Sequence, residues 1–534
     1  MAQNKLIKNN NIFLILSNFF IKKSLYTKKI DFMTKFFYQY NMKKIIVLLI
    51  LLPTFIFGKA QITLDLTLEQ AIELAYVQSL YSFRAKNMYL ASYWEFRSFK
   101  ASRLPGLTLR ATPVRFSQRV QPDYTNENFL KVHTFTSSGE LSISQNFTPT
   151  GGVFEIASSL ERIENFSSEK KGSPISFTSY PISIGFVQSL NGYNSFRWEA
   201  KTEPLKFEMA KKNYLQSLQS IALQTIMVFF NAIDAEIEKV ISETNYSNAD
   251  TLHRIGSGRF EIGTVTQDEL LDLELGLLNA EISLSRSEIG LREARTSLNS
   301  FLGLPEDINI NCIVPFEIPP LKVNVDDALN LALENNPDIL NYELSLLNAK
   351  ERVAQTRANT GLNASVRASA GYNKQDEKLS GVYQSPYENS NAVFVSLNVP
   401  LVDWGYRKGQ VQMAKSNQEV TEIQAAQNMI DFEQKIINEV LKFNLQEKQV
   451  AIASKADTVA QLGFNVTMQR FRIDKVDVIR LNSARTSLDA ARRNYYNALR
   501  NYWASFYTIR QLTLYDFLNE KTLIEELDEL LQKK

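Results

Sequence analysis

The chain has 534 residues, with 59 Lys and Arg, 57 Asp and Glu, two His and one Cys. A single cysteine excludes an intramolecular disulfide and a thiolate metal site, and two histidines nearly exclude imidazole chemistry. Residues 1–60 hold ten of the basic side chains and one of the acidic ones, so the remainder carries 49 basic and 56 acidic groups. This mildly acidic balance argues against a nucleic-acid partner, which requires clustered positive charge.

The N-terminus has the pattern of a secretory signal peptide at residues 42–60. A positive start precedes an apolar run at 45–57, and small residues end the segment at Ala60. The run is shorter than the about 20 residues that a membrane-spanning helix needs, so we expect cleavage after Ala60 rather than an uncleaved anchor. We interpret residues 1–41 as a mis-called N-terminal extension and Met42 as the true start.

An internal duplication organises the rest of the chain. Leu66–Ala75 matches Val323–Ala332 at an offset of 257 residues. A second match joins Arg259 to Arg470 at an offset of 211 and continues ungapped for about 40 residues. The change of offset places about 46 additional residues in the first half, upstream of Arg197.

Each repeat is predicted to contain a helix, a β region and a long helical pair, in that order. The predicted segments are the first repeat at 61–322, with strands at about 105–192 and helices at about 197–302; the second repeat at 323–514, with strands at about 362–405 and helices at about 407–512; and a C-terminal amphipathic tail at 515–534. The insertion is interpreted as a strand pair around Phe147–Leu160 with its loops, projecting from the outer side of the membrane.

The long helices have the heptad pattern of a coiled coil. Leucines recur every seven residues from Leu270 to Leu298, and small or apolar residues such as Ala280 and Ala294 follow three places on. An ordinary helical bundle gives similar periodicity. However, about 60 helical residues extend about 90 Å at 1.5 Å per residue, which exceeds the width of a small domain and suits the crossing of a periplasm.

The β regions alternate apolar residues with small or polar ones, as membrane-barrel strands do. Ala364, Val366 and Ala368 alternate with Ser365 and Arg367 in the second repeat. A soluble sandwich produces the same alternation. Two strands per half are too few to close a barrel, and an open edge is intolerable in lipid, so the chain must oligomerise if it spans a membrane.

The order, duplication and spacing of these motifs resemble the outer-membrane efflux protein family, whose best-known member is TolC. The likeness covers nearly all of the chain after the signal peptide. It rests on Leu68–Ala75 and its repeat copy, Arg259–Val265 with Asp268–Leu271, Leu298–Gly303, and Val395–Leu401 with Gly405.

The resemblance implies a mixed α and β membrane protein that forms a homotrimeric channel-tunnel. Each protomer would give four strands to a twelve-stranded outer-membrane β-barrel, surrounded by outer-membrane lipid, and its long helices to a periplasmic α-helical coiled-coil barrel. The implied function is a passive duct that exports drugs or toxic small molecules. Its partners would be a periplasmic adaptor (membrane fusion) protein and an inner-membrane transporter of the RND or ABC class.

The family resemblance also places the channel tip at the two helix-helix turns, near Gly256–Val265 and Arg470–Val476. The candidate adaptor contacts at these turns are Gly263, Thr264, Val265, Lys475 and Val476. The second turn departs from the family pattern, because Asp474 and Lys475 occupy the places of Gly263 and Thr264.

Asp474 and Asp477 are the candidates for an acidic ring at the periplasmic entrance. Three-fold symmetry would bring three copies of each carboxylate around one axis, where they would attract cations. Two solvated carboxylates on an exposed turn are an equally good interpretation of the same residues.

Other functions fit the sequence less well. A type I protein secretion channel is the first alternative, and a structural coiled-coil surface protein is the second, although the duplicated strand segments argue against it. An enzyme is not expected, because no acid, base or nucleophile constellation, metal cluster or phosphate-cradling glycine loop is found. No cofactor is expected either, and the energy for transport must come from a partner.

Overall fold

The fold is taken from a computed structural model that describes residues 63–123, 128–166, 175–306, 308–473, 475–476 and 478–525. The predicted N-terminal extension and signal peptide lie outside the described residues, as do Asp474 and Asp477.

The two repeats have the same order of helices. The helices of the first repeat are α1 (Leu68–Gln78), α2 (Leu80–Ser102), α3 (Ser195–Glu261) and α4 (Gln267–Leu302), and those of the second are α5 (Val325–Asn335), α6 (Pro337–Thr360), α7 (Tyr406–Arg472) and α8 (Val478–Thr513). α3 and α7 each have 67 residues, and α4 and α8 each have 36. At 1.5 Å per residue, the two longest helices extend about 100 Å.

A capping residue divides the first helical segment of each repeat into two helices. Ser79 ends α1, and its hydroxyl accepts a hydrogen bond from the backbone N–H of Ser82 in α2. Asn336 has the same place between α5 and α6, and its side chain accepts from the backbone N–H of Asp338. Both residues are in extended conformation and buried, so each break is a fixed bend that satisfies the new helix N-terminus.

Six strands form one antiparallel sheet in the order β2-β3-β4-β5-β7-β8. The strands are β2 (Gly106–Asp123), β3 (Asn128–Phe147), β4 (Gly152–Asn165), β5 (Ile175–Ser189), β7 (Asn363–Asp376) and β8 (Glu388–Asn398). Each has at least 11 residues, which meets the about 9–11 that a tilted strand needs to cross a bilayer.

The strand count and the position of the inserted hairpin differ from the sequence prediction. The first repeat contributes four strands and the second two, so the chain supplies six strands rather than four. The Thr148–Gly151 turn between β3 and β4 lies at the helix side of the sheet, since Arg103 at the end of α2 donates a hydrogen bond to Thr148. The inserted residues therefore widen the sheet and do not project from its outer side.

The cross-strand register gives the sheet an apolar face and a polar face. Leu107, Ile143, Ile156, Ile184 and Ala370 lie opposite one another in a single row across five strands. The three isoleucines are 43%, 46% and 50% exposed. The other face carries rows of small or polar residues: Thr108, Ser142, Ala157, Ser183 and Gly371, then Ser144, Glu155, Gly185 and Ser369. An apolar face exposed on one side and a polar face on the other is the pattern of a membrane barrel wall.

The helices pack side by side, with those of the first repeat next to those of the second. Next to the sheet, α2 packs on α3, α3 on α6, and α6 on α7. Farther from the sheet, α4 packs on α3, α3 on α8, and α8 on α7. Two lateral edges result, one formed by α2 and α4 of the first repeat and the other by α7 of the second.

The hydrophobic core lies where short helices and strands of both repeats pack on the long helices. Its fully buried aromatic side chains are Phe229, Phe230, Phe443 and Tyr502. A parallel pair joins β1 (Thr63–Leu66) to β6 (Asn309–Cys312), which links the start of the first repeat to its end. By length and composition, α3 is the one described helix that could cross a membrane, but its most apolar segment around Phe229 belongs to this core.

The residues after α8 form a small hairpin in place of a simple tail. β9 (Tyr515–Asp516) pairs with β10 (Lys521–Thr522), and Leu514 before it is buried. Arg510 of α8 pairs with the buried Asp516 at 3.2 Å, which attaches the hairpin to the helix end. Residues 526–534 lie outside the described part of the chain.

Truncation of the core aromatic Phe230 to alanine should strongly destabilise the helical domain. Phe230 is 0% exposed, and removal of a buried Phe costs about 3–5 kcal/mol because a cavity replaces its contacts. Met227, three residues earlier on α3, is 49% exposed and serves as the control, for which a much smaller effect is expected. Chemical denaturation followed by circular dichroism would measure both; equal destabilisation would contradict the assigned core.

Candidate functional site

The candidate site is the helical tip, where two turns reverse the chain farthest from the sheet. The first turn connects α3 to α4 through residues 262–266, and Gly263 adopts a left-handed conformation with φ of 76°. The backbone N–H of Thr264 donates to the carbonyl of Arg259 at 2.9 Å, and so does its hydroxyl at 3.0 Å. A left-handed residue after a helix end allows such backward hydrogen bonds, which explains the glycine at this place.

The start of α4 is fixed by a capping box. Thr266 is the N-cap residue, and the Glu269 carboxylate accepts a hydrogen bond from its backbone N–H at 3.0 Å. A hydrogen bond from the Thr266 side chain lowers the pKa of Asp268. Negative side chains in the first helical turn also complement the partial positive charge of the helix N-terminus.

The second turn has an equivalent backbone hydrogen bond with different residues. The backbone N–H of Lys475 donates to the carbonyl of Arg470 at 2.9 Å, as Thr264 does to Arg259 in the first turn. Lys475 is exposed and Val476 is half-buried, which matches the exposure of Thr264 and Val265. All five candidate adaptor contacts therefore lie on the two tip turns, where an approaching protein can reach them.

The acidic candidates of the second turn can be placed only by their positions in the chain. Asp474 and Asp477 lie outside the described residues. At the repeat offset of 211, Asp474 corresponds to the left-handed Gly263, and Asp477 corresponds to the N-cap residue Thr266. Asp is itself a favourable N-cap residue, so its position directly before α8 is compatible with a capping role as well as with a pore-facing one.

Both helical edges of the chain expose apolar side chains at heptad spacing. On α4 these are Leu271, Leu275, Leu278, Ile282 and Ile289. On the lower part of α7 they are Leu441, Leu445, Ile452, Val459, Leu462 and Val466. All of these are at least half exposed in the single chain. Repeated apolar side chains on an otherwise polar helix form a seam that packs against another helix.

The edges next to the sheet have the same character. α2 exposes Leu80, Phe83, Met88 and Trp94, and the upper part of α7 exposes Met413, Val420 and Ile423. The outermost strands, β2 and β8, each have one side without a ladder partner in the described sheet. Every level of the chain therefore has two unpaired lateral edges, one from each repeat.

Ion pairs connect the helical pairs of the two repeats. Arg493 of α8 makes a bidentate contact with Glu238 of α3, with distances of 2.7 and 3.0 Å. Arg500 of α8 lies 3.1 Å from Asp234 of α3. Burial raises the pKa of Asp234, and the Arg500 charge opposes that rise. These partly exposed pairs align the repeats with modest energy, since such pairs are typically worth about 0–1 kcal/mol.

The junction between β8 and α7 is held by a carboxylate cap. Asp403 accepts hydrogen bonds from the backbone N–H of Gly405 at 3.2 Å and from that of Arg407 at 3.0 Å. The Arg407 side chain contacts the same carboxylate at 2.5 Å. The hydrogen bond from the Arg407 side chain, together with these backbone bonds, lowers the pKa of Asp403 to about 2.

Neither thiol nor metal chemistry has a site among the described residues. They contain no group of three or more His, Cys, Asp and Glu side chains arranged to hold a metal ion. Cys312 lies in β6 against the core, and burial raises the pKa of its thiol to about 12. The thiol therefore stays protonated and packs as a small apolar group.

Comparison with known proteins identifies the class to which this arrangement belongs. Residues 328–513 match the family model described as outer membrane efflux protein. Among solved structures, the chain is similar to the Campylobacter jejuni CmeC outer membrane channel, with a TM-score of 0.61 and 14% identity over 84% of this chain and 85% of that one.

Two further solved structures have the same fold. The Vibrio cholerae outer membrane protein VceC gives a TM-score of 0.58 and 13% identity, over 84% of this chain and 95% of that one. The Neisseria gonorrhoeae MtrE outer membrane channel, solved in an open state, gives 0.53 and 14%, over 84% and 88%. The comparison with curated protein sequences gave no match.

The fold is therefore that of solved outer-membrane channels. The match over residues 328–513 and the shared fold confirm the sequence resemblance to the outer membrane efflux protein family. Members of this family are trimeric channels that work with adaptors and inner-membrane transporters.

Sequence reasoning missed the features that depend on lateral packing. The unpaired edge seams on α2 and α4 were not predicted, although the leucines and isoleucines of α4 were available as a signal. The Asp403 cap was also missed. Its signal is an Asp two residues before a Gly and four before an Arg at the start of a helix.

The Asp403 cap should make the β8–α7 junction sensitive to strong acid only. A depressed carboxylate pKa contributes stability above the unfolded value of about 3.9 and loses it as the pH falls through the folded value of about 2. The difference in Tm between the wild type and Asp403→Ala should therefore be constant from pH 5 to 8 and shrink between about pH 4 and 2. A difference that already shrinks between pH 7 and 5 would contradict this assignment.

Proposed function

We propose that three copies of this chain close into a continuous duct that exports small toxic molecules through the outer membrane. The supporting observation is the pair of unpaired edges that run the length of the chain: β2, α2 and α4 on one side, and β8 and α7 on the other. A copy placed beside the chain would satisfy both strand ladders and helix seams. Head-to-tail contacts of this kind form a closed ring when the rotation between neighbouring copies is a whole fraction of a full turn.

A homotrimer is the assembly formed by members of the family whose model matches residues 328–513. Each copy would supply a third of the wall at every level, so the strands, the upper helices and the tip helices would all be completed by the same two neighbours. The apolar face of the sheet would then contact outer-membrane lipid, and the polar face would line the lumen.

We propose a periplasmic adaptor and an inner-membrane transporter of the RND or ABC class as the partners. The sequence has no phosphate-cradling loop that would supply energy, so transport must be driven from outside this chain. The adaptor would contact the tip at Gly263, Thr264 and Val265 in the first turn and at Lys475 and Val476 in the second. Lys475 adds a positive charge where the first turn has Thr264, so the two tip contacts would differ electrostatically.

Opening would take place at the tip. The ion pairs of α8 with α3, such as Arg493 with Glu238, connect one repeat to the other. Exposed pairs of this kind are weak enough to break when a partner docks. The pair α7 and α8 could then move relative to α3 and α4 without disturbing the buried core around Phe230.

Asp474 and Asp477 would form the acidic entrance of this duct. In a trimer, the second tip turn occurs three times around the axis, and six carboxylates there would raise the local concentration of cations. If Asp477 only caps α8, its removal should weaken the helix without changing ion selectivity. The two roles are therefore separable by measurement.

The conductance of the purified protein in planar bilayers tests this proposal. The wild type should give small, cation-selective currents. The double variant Asp474→Ala, Asp477→Ala should have lower cation selectivity or higher conductance. The reason is that it lacks the carboxylates that attract cations and repel one another at the entrance. The matched control is Glu261→Ala with Asp268→Ala, two carboxylates on the helix ends beside the first tip turn, for which a smaller change in selectivity is expected. If a well-folded oligomer gives no current, even with both tip carboxylates removed, the proposed duct is wrong.

A further inference from the structure

We infer that the inserted hairpin β3–β4 is part of the membrane wall, so that three copies of this chain form an eighteen-stranded barrel. This inference rests on the proposed trimer and adds the strand number. Six strands per chain in three chains give eighteen, whereas the sequence resemblance implied twelve. The alternative is a hairpin that folds away from a twelve-stranded wall.

The hairpin is paired on both sides, with one register shift in the β2–β3 ladder at Thr112–Arg115 and one in the β4–β5 ladder at Ala157–Ser159. β3 pairs with β2 from Ser144 opposite Gly106 up to the outer end of the sheet, and β4 pairs with β5 from Val153 opposite Val187. The register also keeps each face uniform, because Ile143 and Ile156 of the hairpin lie in one row with Ile184 of β5. A hairpin outside the wall would have to give up both ladders, and backbone groups without partners are not tolerated in lipid.

The turn of the hairpin is built into the helix junctions beneath it. Arg103 at the end of α2 donates to the Thr148 hydroxyl at 2.8 Å and to the Phe196 carbonyl of α3 at 2.7 Å. The Asn194 amide, which caps α3, donates to the Thr148 carbonyl at 2.9 Å. Gly151 adopts a φ of 79°, and a Cβ there would lie 2.9 Å from Asn194. The turn therefore fits the space between the end of α2 and the start of α3.

An even number of strands per chain keeps the edge strands of neighbouring copies antiparallel, so that they can pair and close the barrel. β2 runs away from the helices and β8 runs back toward them, because every neighbouring pair in the sheet is antiparallel. β8 of one copy and β2 of the next are therefore antiparallel as well. Addition of a complete hairpin widens the barrel without changing this relation, whereas one extra strand would break it.

The width of the sheet also matches the width of the helices that enter it. Strands about 4.8 Å apart and tilted about 40° occupy about 6.3 Å of circumference each, so six strands span about 38 Å. The four helices α2, α3, α6 and α7 span about 32–40 Å at an interaxial distance of 8–10 Å. Four strands would span only about 25 Å, and the helical ring would have to narrow by about a third at the junction.

An eighteen-stranded wall makes the outer-membrane section wider than a twelve-stranded one. The same spacing and tilt give a backbone radius of about 18 Å for eighteen strands and about 12 Å for twelve. Barrels of 16 to 18 strands leave an aqueous channel through the membrane. The wall of the duct would thus stay as wide as the helical tube that leads into it.

Site-directed fluorescence in proteoliposomes tests whether the hairpin is in the wall. In a Cys312→Ala background, single substitutions Ile143→Cys, Ile156→Cys and Ile184→Cys each carry an environment-sensitive label. The three positions share one row and similar exposure, and Ile184 on β5 is the matched control because it belongs to the wall in either case. Ser144→Cys and Glu155→Cys sample the opposite face of the hairpin.

In an eighteen-stranded wall, a quencher carried on lipid acyl chains should quench the labels at 143, 156 and 184 to a similar extent. Labels at 144 and 155 should respond instead to a water-soluble quencher. Lipid quenching at 184 with none at 143 and 156 would overturn the eighteen-stranded barrel and leave the duct intact. Absence of lipid quenching at 184 as well, in protein that gives no current, would reject the proposed function itself.

Discussion

The requirement that no strand edge remains unpaired in lipid governs the rest of this molecule. The chain ends laterally in β2 and β8, and a single sheet of six strands cannot pair these two edges without closing on itself or on copies. The helices impose the same condition, because α4 and α7 expose apolar seams on the same two sides as the open strands. In the proposed trimer, membrane insertion, assembly and tunnel formation would all depend on one lateral contact repeated at every level.

The tandem duplication explains how the proposed lateral contact between copies can join both their strands and their long helices. Each repeat supplies a long helix of 67 residues and a returning helix of 36. The two repeats therefore have long helices of equal length side by side. Capped bends at Ser79 and Asn336 turn the first helices onto the core, and the Asp403 and Asn194 caps connect strands to helices. The buried core contains residues of both repeats, and the ion pairs that would break in the proposed opening also lie between the repeats.

Much of this architecture is present in the sequence as periodicity. Heptads and the Arg259 and Arg470 match predict the long helical pairs and the equivalent tip turns, and the equivalent backbone hydrogen bonds of Thr264 and Lys475 follow from that duplication. The strand number could not be predicted, because a hairpin inside a wall and one projecting from it have the same alternation. The strand ladders on both sides of the hairpin and the packing of Arg103 and Asn194 against the Thr148–Gly151 turn distinguish them.

The most direct test of the account is the mass of the detergent-extracted protein, determined separately from the mass of bound detergent by light scattering or sedimentation. We expect an assembly of three chains that persists on dilution, since strand ladders and helix seams would be completed only between copies. A folded, stable single chain, with its helices and strands intact, would contradict it, because both lateral edges would then be satisfied without a neighbour.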